Sequence, residues 1–362
     1  MTATSHSALP TERDLESYRP VITAHCYRMM GSPADADDAV QETLIKAWKA
    51  LPTFEGRSSL KTWLNRIATR VCLDHLETRS RHLLEGRRLA TRSDAFADLG
   101  PATPLSALND VPLIPESPSV WVEPINDLAL GLTTDLDPAE RAMTRQSVRL
   151  AFVTAVQTLA PRQRAALLMA EVLDLSAAEI ADTLETSVPA VNSALQRARQ
   201  TLARRAPLHT NPDDAPSEAS LDGLAPTTSA IVDRFMEAFE RYDVAALTQL
   251  LRDDAIMSMP PFKLWLEGPA SIAAWLTGRG CGCRGSRLVP TSANGQPAFG
   301  QYRPGDTPGA PHKPWALIVL DVGLELDADP KPGHASASIA GMTYFLDTAA
   351  LFPRFGLPME LR

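Results

Sequence analysis

This chain has few cysteines, no long apolar run and, over one long stretch, no basic residue. Four cysteines among 362 residues cannot make the dense disulfide framework of a small secreted domain. The run WALIVL at 315–320 is far shorter than a membrane span. The N-terminal residues MTATSHSALPTERD lack the apolar core of a secretory signal, so we expect a reduced, cytoplasmic protein.

Basic residues are absent from positions 93–140, which hold nine carboxylates and seven prolines. This composition disfavours a packed core, and we predict an acidic, Pro-rich, flexible linker over 93–138. The net charge of −8 would argue against a nucleic-acid partner if charge were evenly spread. Residues 61–92 nevertheless hold eight Lys or Arg against three carboxylates, so a nucleic-acid partner stays open.

Patterning divides the rest of the chain into three folded units. Helical periodicity covers 12–92 and 139–206, and a second linker rich in Pro follows at 207–227. Residues 228–362 combine a helix with short β-type runs separated by Gly and Pro. We therefore predict a multidomain protein with two all-α helical domains and a C-terminal α+β domain.

The stretch DADDAVQETLIKAWKAL at 35–51 predicts a helix with an acidic face. At about 100° per residue, Ile45 falls on the same side as the stripe that holds Asp37, Asp38, Gln41 and Glu42. The helix dipole favours one or two carboxylates in a first turn, but it does not choose a face. A solvated face and a docking surface both fit this pattern.

Residues 159–199 have the plan of a helix-turn-helix. Ser176 and Glu179 form a predicted capping box for a short second helix, and Ser187 can cap the third. The third helix would bury Val191, Ala194, Leu195, Ala198 and Leu202. Its small polar residues and arginines suit a major groove, although an ordinary three-helix packing unit has the same pattern.

The stretch FEGRSSLKTWLNRIATRVCLDHL at 54–76 predicts a Gly-centred loop and then a helix capped by Ser58 or Ser59. Lys61, Asn65, Arg66 and Arg70 are expected to project away from the buried stripe. Small polar groups beside a basic face can hold single-stranded or flipped bases. Core packing of Trp63 and plain solvation of the basic face are the alternatives.

In their order along the chain, the acidic helix, FEGRSSLKTWLNRIA, the linker and LAPRQR…SAAEIA…SVPAVNSALQRAR resemble the extracytoplasmic-function group of bacterial sigma-70 factors. The resemblance covers about residues 12–206. It implies docking on the clamp helices of the β′ subunit of core RNA polymerase by a face that consists of Asp35, Asp37, Asp38, Gln41 and Glu42. The β subunit of the polymerase is a further implied partner.

The resemblance also implies two surfaces that bind promoter DNA. Recognition and melting of the −10 element falls to Arg57, Ser58, Ser59, Trp63, Asn65, Arg66 and Arg70. Recognition of the −35 element falls to Ser187, Pro189, Ala190, Asn192, Ser193, Gln196, Arg197 and Arg199. Glu185 stands in a turn where related proteins often carry Gly.

Residues 228–362 resemble a SnoaL-like domain of the NTF2-like superfamily, on VDRFMEAFERYDVAALTQLLRDDAIMSMPP and LWLEGPASIAAWL. This resemblance implies a cone with an apolar pocket and a tail that tunes sigma activity by contact with the sigma domains. A ligand sensor and an enzyme remain open, with Asp254, Asp347 or His312 as candidate bases. The Cys281-Gly-Cys283 pair and His25-Cys26 are interpreted as loop and packing residues, because a zinc site needs about four ligands.

The sequence thus predicts a sigma factor that is not an enzyme and needs no cofactor or metal. A helix-turn-helix regulator with a ligand-sensing C-terminal domain is the first alternative. A SnoaL-like enzyme fused to a DNA-binding module is the second. The acidic helix argues against the first alternative, since a free-standing regulator does not need it, and a clustered acid–base pair in the pocket would support the second.

Overall fold

The computed structural model describes residues 10–84, 102–116, 121–132, 138–205, 218–307, 309–325 and 336–362. The described residues fall into two compact units. The described residues of the helical unit lie within Met1–Ser93, Val122–Leu136 and Phe152–Arg205, and those of the C-terminal unit lie within Asp94–Trp121, Asp137–Ala151 and Ala206–Arg362. No helix in these described ranges is long and apolar enough to cross a membrane.

The helical unit begins with α1 (Glu12–Ser17), α2 (Arg19–Met30), α3 (Pro33–Ala50) and α4 (Leu60–Leu84). Gly31 ends α2 at a φ of 70°, a left-handed conformation that glycine adopts without strain. Pro33 then occupies the first turn of α3, where its missing N–H costs nothing. Helices α2, α3 and α4 pack on one another around a core that includes Ile22, Tyr27, Val40, Leu64 and Val71.

After α5 (Pro138–Val148), the chain forms α6 (Leu150–Gln157), α7 (Pro161–Glu171), α8 (Ala177–Thr183) and α9 (Val188–Arg205). The predicted capping box is confirmed, because Ser176 and Glu179 bond reciprocally at the start of α8. Glu185 takes the left-handed conformation, with a φ of 52°, in the turn before α9. The predicted stripe of α9 is confirmed by the burial of Val191, Leu195 and Ala198.

A buried arginine joins the end of α2 to the α6–α7 connection. Arg164 donates to the carbonyls of Gln157 at 2.9 Å and Leu159 at 3.1 Å, and also to that of Met29. A guanidinium buried without such acceptors would be strongly destabilising. The two halves of the helical unit are therefore connected through backbone carbonyls as well as apolar packing.

The predicted flexible linker over 93–138 needs correction at two described segments. The backbone N–H of Glu123 donates to the carbonyl of Gly31 at 3.1 Å, within the helical unit. The backbone N–H of Glu116 donates to the carbonyl of Pro261 at 2.8 Å, within the C-terminal unit. Composition suggested flexibility, but these backbone groups bond to folded partners.

Helix α5 belongs to the C-terminal unit, whereas the sequence grouped it with the helices that follow. The remaining elements of this unit are α10 (Glu218–Glu240), α11 (Val244–Thr248), β1 (Leu251–Ser258), β2 (Trp265–Glu267), α12 (Gly268–Thr277), β3 (Arg287–Ala293), β4 (Gln296–Arg303), β5 (Lys313–Glu325), β6 (Ser336–Phe345) and α13 (Thr348–Arg354). A short 3-10 helix, Arg279–Cys283, lies between α12 and β3.

The C-terminal strands form one mixed sheet in the order β2-β1-β6-β5-β4-β3. Strands β1 and β6 are parallel, and the other neighbours are antiparallel. Phe235 of α10 stacks on Phe299 of β4 at 5.5 Å between ring centroids and contacts Phe239 at 5.6 Å. The predicted α+β character is confirmed, with an aromatic core between α10 and the sheet.

Candidate functional site

The acidic face of α3 is partly neutralised within the helical unit. Asp35 accepts from Arg79 of α4 at 2.8 Å. Glu42 lies 2.8 Å from Lys46 Nζ and 2.7 Å from His75 Nε2. Hydrogen bonds from Lys46 and then from His75 lower the pKa of Glu42. These two carboxylates therefore help to hold α3 against α4.

The other predicted docking residues, Asp37, Asp38 and Gln41, are exposed. Two apolar side chains continue the stripe: Ile45 is 53% exposed and Trp48 is 56% exposed. The sequence analysis placed Ile45 on this face but missed Trp48. Counting three residues on from Ile45 would have found it.

Some of the predicted −10 residues in and after the loop before α4 are exposed to solvent, and others contact residues nearby in the chain. Arg57 is exposed and pairs with Glu55 at 2.6 Å. Ser59 caps α4 by accepting from the N–H of Thr62 at 3.1 Å, which leaves Ser58 in the loop. Trp63 is half-buried, with its ring 5.1 Å from the ring of Phe54.

The expectation that Asn65 projects from the buried stripe is wrong. Asn65 is 1% exposed, and its Nδ2 donates to the carbonyl of Lys61 at 3.0 Å. The preceding residue, Leu64, is also fully buried, so this part of α4 is covered on two adjacent sides. Helical periodicity alone does not report how widely a helix is covered.

Arg66 and Arg70 of α4 face carboxylates at the helix-turn-helix. The guanidinium of Arg66 lies 3.2 Å from Glu179 and 3.8 Å from Asp182. Arg70 lies 3.5 Å from Glu185 and donates to the last backbone carbonyl of α8 at 3.0 Å. Two predicted DNA-contacting arginines are thus occupied by α8 and its following turn.

Helix α9 presents its predicted residues to solvent. All eight residues predicted to contact the −35 element are exposed: Ser187, Pro189, Ala190, Asn192, Ser193, Gln196, Arg197 and Arg199. Arg199 pairs with Glu171 at 2.6 Å, at a site where both side chains are about half exposed. The N-terminal half of α9 is therefore an open polar surface flanked by arginine.

The candidate bases of the C-terminal unit do not line the cavity that its described residues form. A space of about 10 Å³ lies among apolar side chains: Phe235, Phe239, Leu247, Leu251, Ile272, Leu276, Met342 and Tyr344. That volume holds about one water molecule. Asp347 caps α13, Asp254 pairs with Arg252, and His312 bonds the carbonyl of Gly285 at 3.2 Å.

Comparisons with known proteins match the two helical regions to one family. A family model of Sigma-70 region 2 matches residues 15–82. A model of Sigma-70, region 4 matches residues 149–202. The first match contains the α3 face and the loop before α4, and the second contains α8 and most of α9.

Relatives extend the similarity to the whole chain. ECF RNA polymerase sigma factor SigG of Mycobacterium tuberculosis is 42% identical over 351 residues, which cover 96% of this chain and 83% of SigG. The RNA polymerase sigma-H factor of Pseudomonas aeruginosa is 28% identical over 185 residues, covering 51% of this chain and 80% of that protein.

A solved structure has a similar fold. The crystal structure of the Mycobacterium tuberculosis extracytoplasmic function sigma factor SigJ matches with a TM-score of 0.54 and 16% identity, covering 96% of this chain and 100% of SigJ. With the two regional matches and the identity to SigG, the chain belongs to the extracytoplasmic-function group of sigma-70 factors, which direct RNA polymerase to start transcription at promoters.

Proposed function

We propose that this sigma factor works in the cytoplasm and docks on core RNA polymerase through the outward face of α3. The clamp helices of β′ are the proposed main contact, and the β subunit is a further one. The observation that carries the proposal is one exposed stripe of Asp38, Gln41, Ile45 and Trp48. A merely solvated face has no use for an exposed tryptophan, which is a residue type enriched at interfaces.

The open surface of α9 supports a role in reading the −35 element. Its first turns carry short polar side chains that can approach base edges. Arg197 and Arg199 lie further along the same helix, where their guanidinium groups could contact DNA phosphates. For the −10 element, the loop with Arg57 and Ser58 and the half-buried Trp63 are the accessible candidates. Asn65 would act by positioning, since it is buried.

We also propose that the C-terminal unit is a SnoaL-like domain with the NTF2-like cone and that it tunes the activity of the sigma regions. The described cavity among Phe235, Phe239 and their neighbours has room for about one water molecule and not for a larger ligand, which supports an interaction module over a ligand sensor or an enzyme. The candidate bases Asp254, Asp347 and His312 do not line this cavity, which also supports an interaction module over an enzyme.

The proposed tuning contact consists of the bonds that the sheet of the C-terminal unit makes to the residues where the region 4 match begins. Buried Asn294 donates to the carbonyl of Val148 at 2.7 Å. Arg149, the first residue of the region 4 match, pairs with Asp321, which also accepts from Gln296 at 2.9 Å. Because α6 follows directly in the chain, these bonds would fix the start of the segment that leads into the helix-turn-helix.

Promoter-specific run-off transcription with core polymerase tests both proposals. Asp37→Lys/Asp38→Lys should lower initiation about a hundredfold, because like charges at a docking surface cost several kcal/mol. Asp233→Lys/Glu237→Lys, on an exposed face of α10, is the charge-matched control and should keep most activity. Equal activity of the two variants would sink the docking proposal.

The tuning proposal is tested by a chain ending at Arg205 and by Asn294→Asp/Asp321→Asn in the full chain. The double variant keeps net charge but removes the amide donor to Val148 and the carboxylate that pairs with Arg149. Both changes should shift run-off yield in the same direction by several-fold. A yield that neither change alters would refute tuning while leaving the docking result intact.

A further inference from the structure

A basic loop in the C-terminal unit is not used by any of the roles above. Residues 279–287 read RGCGCRGSR and contain no carboxylate, in a chain with a net charge of −8. The loop covers the 3-10 helix Arg279–Cys283 and leads into β3. Arg279, Arg284 and Arg287 are exposed, and Arg303 at the end of β4 lies behind them.

Aromatic rings hold the guanidinium groups of this loop in place. Arg279 lies over Trp275 at 5.8 Å, and Arg284 lies over Tyr242 at 5.2 Å. Arg303 lies 3.2 Å from the ring centroid of Trp315. A guanidinium stacked on a ring keeps its N–H edge available and loses less entropy when that edge binds an anion.

No ion pair within the described ranges neutralises Arg279, Arg284 or Arg303. Arg279 donates to the carbonyl of Val111 at 2.6 Å, and Arg303 to the sulfur of Cys283 at 3.2 Å. Three other exposed cations of the unit do have carboxylate partners: Arg241 with Glu237, Lys263 with Glu116 and Lys313 with Asp306. The loop and Arg303 therefore bring together three guanidiniums that have no ion pair among the described residues.

Arg287 donates to the backbone oxygen of the last residue, Arg362, at 2.9 Å, and side-chain carboxylates around the loop have other contacts or form no pair with it. Glu240 accepts from the backbone N–H of Leu288 at 2.8 Å, and Asp306 pairs with Lys313 at 2.8 Å. Asp110 precedes the carbonyl that Arg279 contacts and forms no ion pair with it. Gly280 lets the loop lie close to Trp275, since a Cβ at this position would lie 2.9 Å from the Trp275 side chain.

We propose that this loop binds the phosphate backbone of the duplex promoter DNA. The edges of stacked guanidiniums match phosphate oxygens in a fork geometry, and phosphate contacts need no particular base sequence. A sigma factor already works on a polyanion, so a second cationic surface adds affinity by releasing counterions. The C-terminal domain would thus contribute directly to DNA affinity, independently of its proposed contact with region 4.

The test is DNA binding by holoenzyme reconstituted with Arg279→Gln/Arg284→Gln in the full chain. The affinity for a promoter fragment with long flanks is measured by fluorescence anisotropy across a salt series. Removal of two phosphate contacts should lower the slope of log affinity against log salt by about 1.8. Affinity at low salt should fall by about tenfold for each arginine removed.

Arg241→Gln/Lys263→Gln is the matched control, because it removes two exposed cations of the same unit that carry their own carboxylates. This control should bind like the unaltered protein. Core polymerase affinity, measured separately, should be equal for all forms. An unchanged salt slope, an equal loss in the control, or a loss confined to polymerase binding would each overturn the proposal.

Discussion

The helical unit and the C-terminal unit use arginine in opposite ways. In the helical unit, Arg66 and Arg70 are paired with carboxylates at α8 and its following turn, and Arg164 is buried among backbone carbonyls. In the C-terminal unit, Arg279 and Arg284 lie on aromatic rings without a carboxylate partner among the described residues. In the proposed DNA-binding roles, Arg66 and Arg70 would have to leave their carboxylates before they contact DNA, whereas Arg279 and Arg284 would have no carboxylate to leave.

The two units also differ in what they bury. Helices α2 and α7 enclose polar side chains such as His25, Arg28 and Arg164. The core between α10 and the sheet is built from Phe235, Phe239, Phe299 and neighbouring aliphatic residues. We therefore expect the helical unit to respond to pH and charge, and the C-terminal unit to respond mainly to loss of apolar volume.

The largest expected effect is in the aromatic core. Phe235 is 1% exposed, and Phe235→Ala should lower the free energy of unfolding of the C-terminal unit by about 3 to 5 kcal/mol. Chemical denaturation of the full chain measures this loss. The exposed neighbour Arg234→Ala is the control, with an expected change within about 0.5 kcal/mol. Similar losses in both would mean that the core is less tightly packed than the ring distances indicate.

A smaller effect is expected from the buried histidine. Burial, with a lesser contribution from Arg28, lowers the pKa of His25 from 6.5 to about 3. Because the folded pKa is the lower one, the unfolded chain takes up a proton that the folded chain does not. Stability is therefore full above about pH 6.5 and falls as the pH drops toward 3, with a loss of about 2 kcal/mol at pH 5.

His25→Leu should remove this pH dependence, whatever its effect on stability at neutral pH. Urea unfolding of the helical unit at pH 5 and pH 7.5, followed by far-ultraviolet circular dichroism, gives the comparison. In the C-terminal unit, burial raises the pKa values of Tyr242 and Tyr302 to about 12, so these two tyrosines do not contribute to pH dependence over this range. An equal pH dependence in wild type and variant would show that another group is responsible.

The smallest expected effect is a change in DNA affinity when the ion pairs of Arg66 in α4 are removed. Glu179→Gln/Asp182→Asn removes both carboxylates facing Arg66, and Gln can still serve at the third position of the capping box. Binding of the full chain to single-stranded DNA should rise by about two- to fivefold, because exposed pairs contribute less than about 1 kcal/mol each. Anisotropy with a labelled oligonucleotide measures this change.

Glu77→Gln/Asp174→Asn removes the same number of charges from exposed positions of the helical unit and serves as the control. If both double variants gain DNA affinity equally, then general charge repulsion explains the gain. In that case the difference between the two kinds of arginine would have no functional meaning.

Several features could be predicted from the sequence because they depend on neighbours along the chain. The capping box at Ser176, the buried stripe of α9 and the exposed polar residues of that helix follow from local spacing. The start of α3 at Pro33 is local in the same sense. Such features need only the periodicity of a helix and the donors of its first turn.

The sequence by itself determined the family, the two helical regions and the mixed α+β character of the last unit, because motif and periodicity are properties of adjacent residues. Only the tertiary structure decided that Asn65 is buried, that Arg66 and Arg70 face carboxylates and that α5 belongs with the C-terminal unit. It also brought Arg303 beside a loop twenty residues earlier in the chain. Burial and pairing depend on residues far apart in sequence, and the spacing along one helix carries no information about them.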